Sequence, residues 1–377
     1  MRQIYLDYNA TQPIAPAVQQ ALLPFLAEHY GDPGSNHAIG KAALEAVEDA
    51  RGRVAAHLGA DRDEIVFTSG GTESNHLALV GTLLARENDG GHVLISAIEH
   101  ESVAGAARMV ERGGYEVTFI PANSQGIVTA AAVRQALRPN TVLVSVMHAN
   151  HELGTIQPIK QIAAVCHEAN VLLHTDASQT AGRIRTQVDE LEVDLLTLTG
   201  HKLYGPKGVG ALYVRQGITL EALQSGGGQE NGVRGGTENV FGIVGLGKAC
   251  ELVHHSYEEA LSRMEMLRNR FEVQLQEAVG DGLVIHGQLV ERLPNTSCLS
   301  FPGVQAYEML QRAPELCLWT GSTGYATANR ASATLAAIGV TGEVAQGTLR
   351  MSAGWYTTEE EIDRAVSLLL EAWEALK

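Results

Sequence analysis

The sequence has 377 residues with a formal net charge of -16, and 45% of its residues are hydrophobic. This composition is typical of a globular α/β protein and excludes a disordered or fibrous chain. The negative charge argues against binding to nucleic acid or to an anionic membrane surface, because both attract positive surfaces, so we expect a small-molecule partner.

The sequence carries no recognisable export or membrane signal. Residues 1–9 lack a basic region followed by a long apolar run, and no uncharged apolar window reaches the ~20 residues of a membrane span. The four cysteines, Cys166, Cys250, Cys298 and Cys317, show no spacing typical of a zinc site or a disulfide framework. We therefore expect a cytoplasmic protein with reduced thiols.

Short apolar runs alternate with longer helical patterns from about residue 64 onward. This alternation predicts parallel strands joined by crossover helices. The runs are rich in Val, Leu and Ile throughout, as expected of a sheet buried between two helical layers. The predicted strands are 65–68, 93–96, 142–147, 171–175, 195–198 and 211–214.

The pattern changes after Gly236, where a helical stretch over 240–279 predicts the connection to a second domain. A last helix is predicted to begin near Thr357, which with Glu360 forms a candidate capping box. The shorter strands predicted between these helices are 283–286, 297–301 and 349–352.

The chain is too long for one ordinary small core, which favours a large domain with a smaller one packed against it. We predict an α/β protein with a mainly parallel central sheet in the large domain and a smaller α/β C-terminal domain. The predicted boundaries are 15–250 for the large domain, and 1–14 with 251–377 for the small one.

Ligands bind beyond the carboxyl ends of the strands in an open parallel sheet, so the residues that follow each predicted strand are candidates. The first set is the segment 68–75, Thr-Ser-Gly-Gly-Thr-Glu-Ser-Asn, between a predicted strand and a predicted helix. Its glycines let the backbone curl, and the amides of a new helix with the Thr72 hydroxyl suit a phosphate. A tight strand-to-helix turn would favour the same residues without any ligand.

Asp176 and Lys202 each follow a predicted buried strand. A buried carboxylate is costly unless it meets a cation, and the pyridinium nitrogen of pyridoxal 5'-phosphate (PLP) is such a partner. Lys202 lies after a Gly turn, where low-dielectric surroundings lower the pKa of an amine toward that of a usable nucleophile. Taken singly, such an Asp is more often a helix cap, and Lys207 has the context of an ordinary turn lysine.

His100 follows another predicted strand, and a neutral imidazole there could stack on a flat ring and relay a proton. Alone, a His in this position is more often a polar loop residue. Together the four sets supply a phosphate cradle, a pyridinium partner, a Schiff-base lysine and a ring-stacking base. This conjunction predicts a PLP enzyme with Lys202 as the attachment point.

At this point the sequence resembles a known family, the cysteine desulfurases of the NifS and IscS type. They belong to the class V aminotransferase superfamily, which also includes selenocysteine lyases, and the resemblance covers nearly the whole chain. It implies the PLP-dependent transferase fold of type I. The segments that carry it are 5–11, 67–75, 99–100, Asp176 with Gln179, 200–208, 226–230, 234–239, 292–296 and 358–363.

The resemblance also implies roles for individual residues. Lys202 would form the Schiff base, His100 would stack on the ring and move protons, and Asp176 would pair with the ring nitrogen. Gln179 would contact the ring hydroxyl, and Arg350 would bind the substrate carboxylate through its planar fork. The phosphate would be bound by Gly71, Thr72, Thr199 and His201, and by Thr237 from the neighbouring subunit of a homodimer.

Two positions depart from the family pattern. The family has a mobile loop cysteine that attacks the substrate sulfur, and the ungapped alignment from Arg350 places Gly324 there. Glycine cannot be a nucleophile. His151 stands where the family has an asparagine that contacts the cofactor or substrate, which changes donor geometry and local charge. His148 and His151 could form a metal pair, but no further ligand set is evident, so we predict no metal.

The leading hypothesis is a PLP-dependent lyase that removes the β-substituent of a cysteine-type amino acid: cysteine, selenocysteine, cysteine sulfinate or a persulfide. A good leaving group would need no attacking cysteine, whereas plain cysteine would need Cys317 or an outside thiol, such as one on a sulfur-acceptor protein. The apolar, strand-like context of Cys317 favours a buried, inert thiol. The alternatives are an aminotransferase or racemase on the same fold, and a catalytically reduced sulfur-transfer scaffold.

Overall fold

The computed structural model describes residues 3–86, 91–255, 257–321, 331–340 and 342–377, with side chains described outside 255–259. The strands are β1 Ile4–Tyr5, β2 Ile65–Thr68, β3 His92–Ser96, β4 Glu116–Ile120, β5 Thr141–Ser145, β6 Leu172–Asp176, β7 Leu195–Thr199, β8 Gly210–Val214, β9 Val284–Ile285, β10 Thr296–Ser300, β11 Leu316–Cys317, β12 Trp319–Thr320 and β13 Thr348–Ser352.

Helices separate most of these strands. They are α1 Pro16–Leu22, α2 Ala38–Leu58, α3 Gly71–His76, α4 Thr82–Leu84, α5 Glu101–Arg112, α6 Ala130–Ala136, α7 Ile159–Glu168, α8 Val188–Leu191, α9 Val240–His255, α10 Tyr257–Val279, α11 Ala306–Arg312, α12 Ala333–Ala337, α13 Gly342–Gln346 and α14 Glu359–Glu374. A π-helical stretch, Leu77–Gly81, joins α3 to α4 in one helical run.

A seven-stranded sheet has the order β2-β8-β7-β6-β5-β3-β4. The strands from β7 to β4 are parallel to one another, which confirms the predicted mainly parallel sheet. The strand predicted over 211–214 is the exception, because β8 is antiparallel to both of its neighbours. Residues 200–209 before it contain only the short turn Gly200–Lys202, and an antiparallel return needs no crossover helix.

The two faces of this sheet pack into separate apolar clusters, as the alternation of side chains along a strand requires. Ile65 and Phe67 of β2 join the cluster that contains residues of α2, α7 and α9. Val66 of the same strand joins the opposite cluster, with residues of the π-helical stretch, α4 and α5. The sheet is therefore covered by helices on both faces.

A third apolar cluster lies in the C-terminal part of the chain. It combines residues between Leu267 and Trp373 with Ile4 and Leu6 from the N-terminus. The sheet β12-β13-β10-β9 is antiparallel, and β1 pairs in parallel with β11. The N-terminal strand thus packs with the C-terminal elements, while the exact domain limits stay a prediction.

Three details of the sequence interpretation need correction. The capping box of α14 is formed by Thr358 and Glu361, one residue after the predicted pair. The helical stretch over 240–279 is two helices, α9 and α10. The strand β4 was missed, because it lies at the sheet edge and most of its side chains are at least partly exposed.

In the part of the chain that the structure describes, no helix is both long and apolar enough to cross a membrane.

Candidate active site

A cavity of about 510 Å3 lies at the carboxyl ends of the central strands. Asp176 is the last residue of β6, Thr199 is the last residue of β7, and Lys202 ends the turn that follows β7. The cavity brings together all the predicted site residues except Thr237, namely Gly71, Thr72, His100, His151, Asp176, Gln179, Thr199, His201, Lys202 and Arg350.

The Lys202 amine is partly buried beside a carboxylate and two arginines. Burial lowers the pKa of Lys202 to about 8; Asp176 opposes this shift, and the positive charges of Arg183 and Arg350 add to it. With a pKa of about 8, roughly one amine in ten is unprotonated at pH 7. An amine at its ordinary pKa of 10.5 would have roughly one in three thousand.

Asp176 stays ionised although it is buried. Ser178 N donates to its Oδ1 at 2.9 Å, and Asn75 Nδ2 donates to its Oδ2 at 2.8 Å. Burial raises the pKa of Asp176, but these hydrogen bonds and the charge of Lys202 outweigh it and hold the pKa below its usual value. The chain thus presents a buried anion in the lining of the cavity.

His100 caps the N-terminus of α5 with its side chain. Its Nδ1 accepts a hydrogen bond from Ser102 N at 3.1 Å, so the neutral ring carries its hydrogen on Nε2. Burial lowers the pKa of His100, and the Lys202 charge lowers it further while Asp176 opposes. A neutral imidazole held in this way by the helix end keeps Nδ1 engaged as an acceptor and offers its Nε2 hydrogen as a donor.

Four further residues that line the cavity are predicted to bind a phosphate. Gly71 begins the helical run after β2, and a Cβ there would lie 3.2 Å from Ser178 Oγ and 3.6 Å from Thr199 Cβ, so glycine keeps this space open. Thr72 is exposed and Thr199 is buried. Burial lowers the pKa of His201 to about 4, with Lys202 and Lys207 acting in the same direction. A neutral His201 can donate a hydrogen bond without adding charge.

Arg350 is buried in β13 and is held from three sides. Its Nη1 donates to the His151 carbonyl oxygen at 2.8 Å, and its Nη2 pairs with Asp7. The guanidinium carbon lies 5.0 Å from the centre of the Trp319 ring. Its Nε is buried without a hydrogen-bond partner among the described residues. The side chain is therefore oriented by the protein while one donor stays available to a ligand.

His151 packs edge-on against His100, with ring centres 5.4 Å apart. Its Nδ1 is buried and has no hydrogen-bond partner within the described ranges. Burial lowers the pKa of His151 well below its usual value, and the nearby His100 ring and the charges of Arg350 and Lys202 act in the same direction. This position therefore adds a neutral imidazole to the cavity.

Sequence reasoning missed Glu99 and Asn75, which also line the cavity. Met147 N donates to Glu99 Oε1 at 2.6 Å, and Glu99 Oε2 is buried without a partner among the described side chains. Burial raises the pKa of Glu99 well above its usual value; the bond from Met147 opposes this shift and the Asp176 charge adds to it. The only sequence signal was the position of both residues inside segments that matched the family.

Cys317 does not line the cavity, although its neighbour Trp319 does. Its Sγ donates to Gln3 Oε1 at 3.3 Å, and its side chain is half-buried in β11. Burial raises the pKa of the Cys317 thiol, and the charge of Asp7 raises it further. Both facts disfavour a reactive thiolate at this position.

Three further sequence predictions concern Thr237, Gly324 and a metal site. Thr237 is exposed and does not line the cavity of its own chain. Gly324 lies outside the described residues. Within those residues no group of three or more His, Cys, Asp or Glu side chains could hold a metal ion, and His148 is buried with an unpartnered Nδ1 and a pKa that burial lowers to about 4.

A sheet of this topology, with a lysine on the turn after β7 and an aspartate at the end of β6, defines a PLP-dependent transferase of fold type I. The sequence profile described as "Aminotransferase class-V" matches residues 4–365. The chain belongs to the class V aminotransferase family, which is a family of PLP-dependent enzymes.

Curated relatives and solved structures agree with this assignment. The chain is 41% identical to "Cysteine desulfurase IscS" of Dictyoglomus turgidum, over 100% of this chain and 96% of that protein. It is 40% identical to "Cysteine desulfurase IscS 1" of Archaeoglobus fulgidus, over 99% and 97% of the two chains. A solved "NIFS-LIKE PROTEIN" superposes with a TM-score of 0.93 at 35% identity, over 99% and 100% of the chains.

A further solved structure is described as "SspA in complex with cysteine". It superposes with a TM-score of 0.82 at 36% identity, over 94% of this chain and 99% of that one. These comparisons confirm the predicted family and fold. They do not test the individual residue roles, which stay predictions.

The raised pKa of Glu99 makes the stability of the protein depend on pH. The unfolded carboxyl loses its proton at lower pH than the folded one, so folding above about pH 4.5 must take up a proton at Glu99. The free energy of unfolding of the wild type should therefore fall relative to that of Glu99→Gln as pH rises. The limiting slope for one proton is about 1.4 kcal/mol per pH unit.

Urea unfolding of both proteins between about pH 5 and about pH 8 measures this difference. The matched control is Glu101→Gln, because Glu101 is exposed two residues away. It should follow the wild type across the range. Parallel curves for wild type and Glu99→Gln would contradict a protonated Glu99.

Proposed function

We propose that this chain is a PLP-dependent lyase of the cysteine desulfurase type, which removes the β-substituent of a cysteine-type amino acid. The observation that carries the proposal is one cavity that combines the activated amine of Lys202, the buried anion Asp176 and the partly free cation Arg350. Curated relatives named cysteine desulfurase, and a related structure described as a complex with cysteine, support the same reaction class.

The residues of the cavity fit PLP from one end to the other. Asp176 is an ionised carboxylate where a protonated ring nitrogen would need one, and Lys202 is the lining amine with the lowered pKa. Gly71 leaves room beside Thr199 that a side chain would fill, which suits a phosphate near the start of the helical run. Thr72 and His201 would provide further donors to that phosphate.

Bound PLP supplies an electron sink that stabilises negative charge at the α-carbon of an amino acid. Lys202 would hold the cofactor, and its Nζ would be a base for the substrate α-proton. His100 is the second group that can move a proton, because its ring is neutral and its Nε2 carries the hydrogen. Asp176 keeps its negative charge throughout, since its two hydrogen bonds stabilise the ionised form.

Arg350 binds the substrate carboxylate in this proposal. Its Nε is unpartnered within the described residues, and each Nη has one hydrogen left after the bonds to His151 O and Asp7. The substrate carboxylate would therefore share Arg350 with Asp7. His151 borders the same space, and its unpartnered Nδ1 would contact the substrate or the cofactor.

The β-substituent has no thiol acceptor within the described lining of the cavity, because Cys317 lies outside it. Selenide can leave selenocysteine as an anion with the C–Se electron pair, and the sulfinate group can leave cysteine sulfinate as SO2 while the β-carbon takes up a proton, so neither needs such an acceptor. Plain cysteine needs one, which an external thiol or a sulfur-acceptor protein would supply. The proposal therefore ranks substrates by their leaving groups.

The first prediction that tests the proposed function concerns Lys202. The Lys202→Ala variant should lose the visible absorbance of the bound cofactor and all turnover, because no other lining amine among the described residues can hold PLP. Borohydride reduction of the wild type followed by peptide mass spectrometry should place the cofactor on Lys202. The control Lys207→Ala should keep the absorbance, and an adduct on another residue, or none, would contradict the proposal.

The second prediction concerns the leaving group. Release of alanine and pyruvate should be measured from cysteine, selenocysteine, cysteine sulfinate and cystine, with the wild type and Cys317→Ala. We expect cysteine sulfinate and selenocysteine to react faster than cysteine. We also expect Cys317→Ala to change kcat/KM by less than about twofold, because its thiol is outside the cavity.

Other outcomes of the same assay have distinct meanings. A large loss of cysteine turnover in Cys317→Ala alone would make this thiol the sulfur acceptor. Accumulation of pyridoxamine phosphate with an amino donor would replace the lyase by an aminotransferase. No turnover of any substrate by a protein that binds PLP would remove the lyase proposal.

We propose further that the protein is a homodimer in which Thr237 binds the phosphate of the neighbouring subunit. Thr237 is exposed and outside the cavity of its own chain. Exposed apolar side chains are concentrated between residues 23 and 44, including Leu26 at 65% and Tyr30 at 74% exposure. Such a concentration favours a protein interface.

The third prediction tests this dimer. Leu26→Glu should shift the protein toward a monomer in analytical ultracentrifugation, because it places a charge in the apolar segment. It should also weaken PLP binding in equilibrium dialysis, since Thr237 would be removed from the partner's site. Leu289→Glu is the matched control, as Leu289 is 78% exposed elsewhere. A monomeric wild type would overturn the proposal.

A further inference from the structure

Arg183 is a buried cation next to the candidate active site, with 2% of its surface exposed. Its Nη1 donates to Gln179 O and to Gln179 Oε1, both at 2.6 Å, and its Nη2 donates to Tyr8 O at 3.0 Å. Its Nε is buried without a partner, and no carboxylate pairs with it among the described residues. Arg183 is thus a buried charge that only neutral oxygens contact.

The contact with Arg183 determines the orientation of the Gln179 amide. A guanidinium has only donors, so the Gln179 atom 2.6 Å from Nη1 must be the carbonyl oxygen. The amide nitrogen is then the other end, and one of its two hydrogens goes to Asn9 O at 3.0 Å. The second hydrogen is what Gln179 can offer to a ligand in the cavity that it lines.

A hydrogen-bond donor on Gln179 favours a ligand that has a hydrogen-bond acceptor facing it. The cofactor of the proposed function has one ring oxygen that can be a hydroxyl or an anion, and an N–H group favours the anion. A buried positive charge without a counter-ion favours a nearby anion as well. Arg183 therefore favours the ionised ring oxygen in two ways: it orients the Gln179 amide as a donor, and it adds a positive charge nearby.

We propose that Arg183 is a positioning residue that fixes Gln179 as a donor to the ring oxygen of PLP and supplies the charge that keeps this oxygen ionised. This inference rests on the proposed function, because it concerns the cofactor bound there. The charge also reaches the attachment point, since Arg183 is one of the groups that lower the pKa of Lys202. Loss of the charge should therefore make protonation of the bound cofactor easier.

The test is a pH titration of the visible absorbance of the holoenzyme, which reports protonation of the bound cofactor. Arg183→Gln keeps hydrogen-bond donors but removes the charge, and Arg183→Met removes both. Each should raise the titration midpoint by about one pH unit, a roughly tenfold change in the ionisation constant. Arg183→Lys keeps the charge and should return the midpoint toward that of the wild type.

Two further variants keep the test decisive if removal of a buried arginine impairs folding. Gln179→Glu retains the contact with Arg183 but neutralises its charge with a carboxylate, and it should raise the midpoint as Arg183→Gln does. Arg268→Gln is the matched control, because Arg268 is a buried arginine that lies outside the cavity and donates to Leu293 O. It should change thermal stability without moving the midpoint.

The outcomes separate this inference from the proposed function. A wild type that shows cofactor absorbance, with the same midpoint in Arg183→Gln, Arg183→Met and Gln179→Glu, would overturn the role of Arg183 alone. A wild type without cofactor absorbance would overturn the proposed function and this inference together. If the midpoint rose equally in Arg268→Gln, the shift in the Arg183 variants would reflect general destabilisation. That outcome would also overturn the role of Arg183.

Discussion

The candidate site depends on the electrostatic balance between Asp176 and Lys202 at the ends of two neighbouring parallel strands. Burial opposes the charged form of both groups, and each charge stabilises the other. The balance is uneven, because two hydrogen bonds hold Asp176 ionised whereas two arginines oppose the charge on Lys202. The result is a permanent anion beside an amine that can lose its proton near neutral pH.

Burial also determines the protonation of the imidazoles around Asp176 and Lys202. His100, His151 and His201 line the cavity, and burial lowers the pKa of each of them, so they enter as neutral rings. Fixed positive charge is instead carried by Arg350 and, just behind the lining, by Arg183. The cavity thus combines neutral imidazoles with fixed positive charge, an arrangement that suits the proposed chemistry on PLP.

Much of the site could be predicted from sequence, because strand ends are recognisable in a parallel sheet. Asp176, Lys202 and His100 were identified by their position after apolar runs, and the structure brings them into one cavity. The direction of β8 was wrong, since an apolar run has the same appearance in either direction. The predicted helix cap, Thr357, was one residue before the actual cap, Thr358, because two adjacent threonines precede two candidate glutamates.

Other features had no local sequence signal. The bonds from Asn75 to Asp176 and from Arg350 to Asp7 join residues that are far apart in the chain. Glu99 is distinguished by burial, which a single sequence does not reveal for a charged residue. Arg183 follows Gln179 by four residues, but only the folded chain shows that no carboxylate pairs with it among the described residues.

Residues from distant parts of the sequence meet at the candidate site. Ser352 N donates to Leu6 O, Asn9 N donates to the Ser352 side chain, and β1 pairs with β11. During synthesis on the ribosome, β1 therefore emerges before its partner β11, which is translated more than three hundred residues later. The seven-stranded sheet, which ends with β8 at Val214, can form before then, but Arg350 lies far beyond it in the sequence and can reach its position only later.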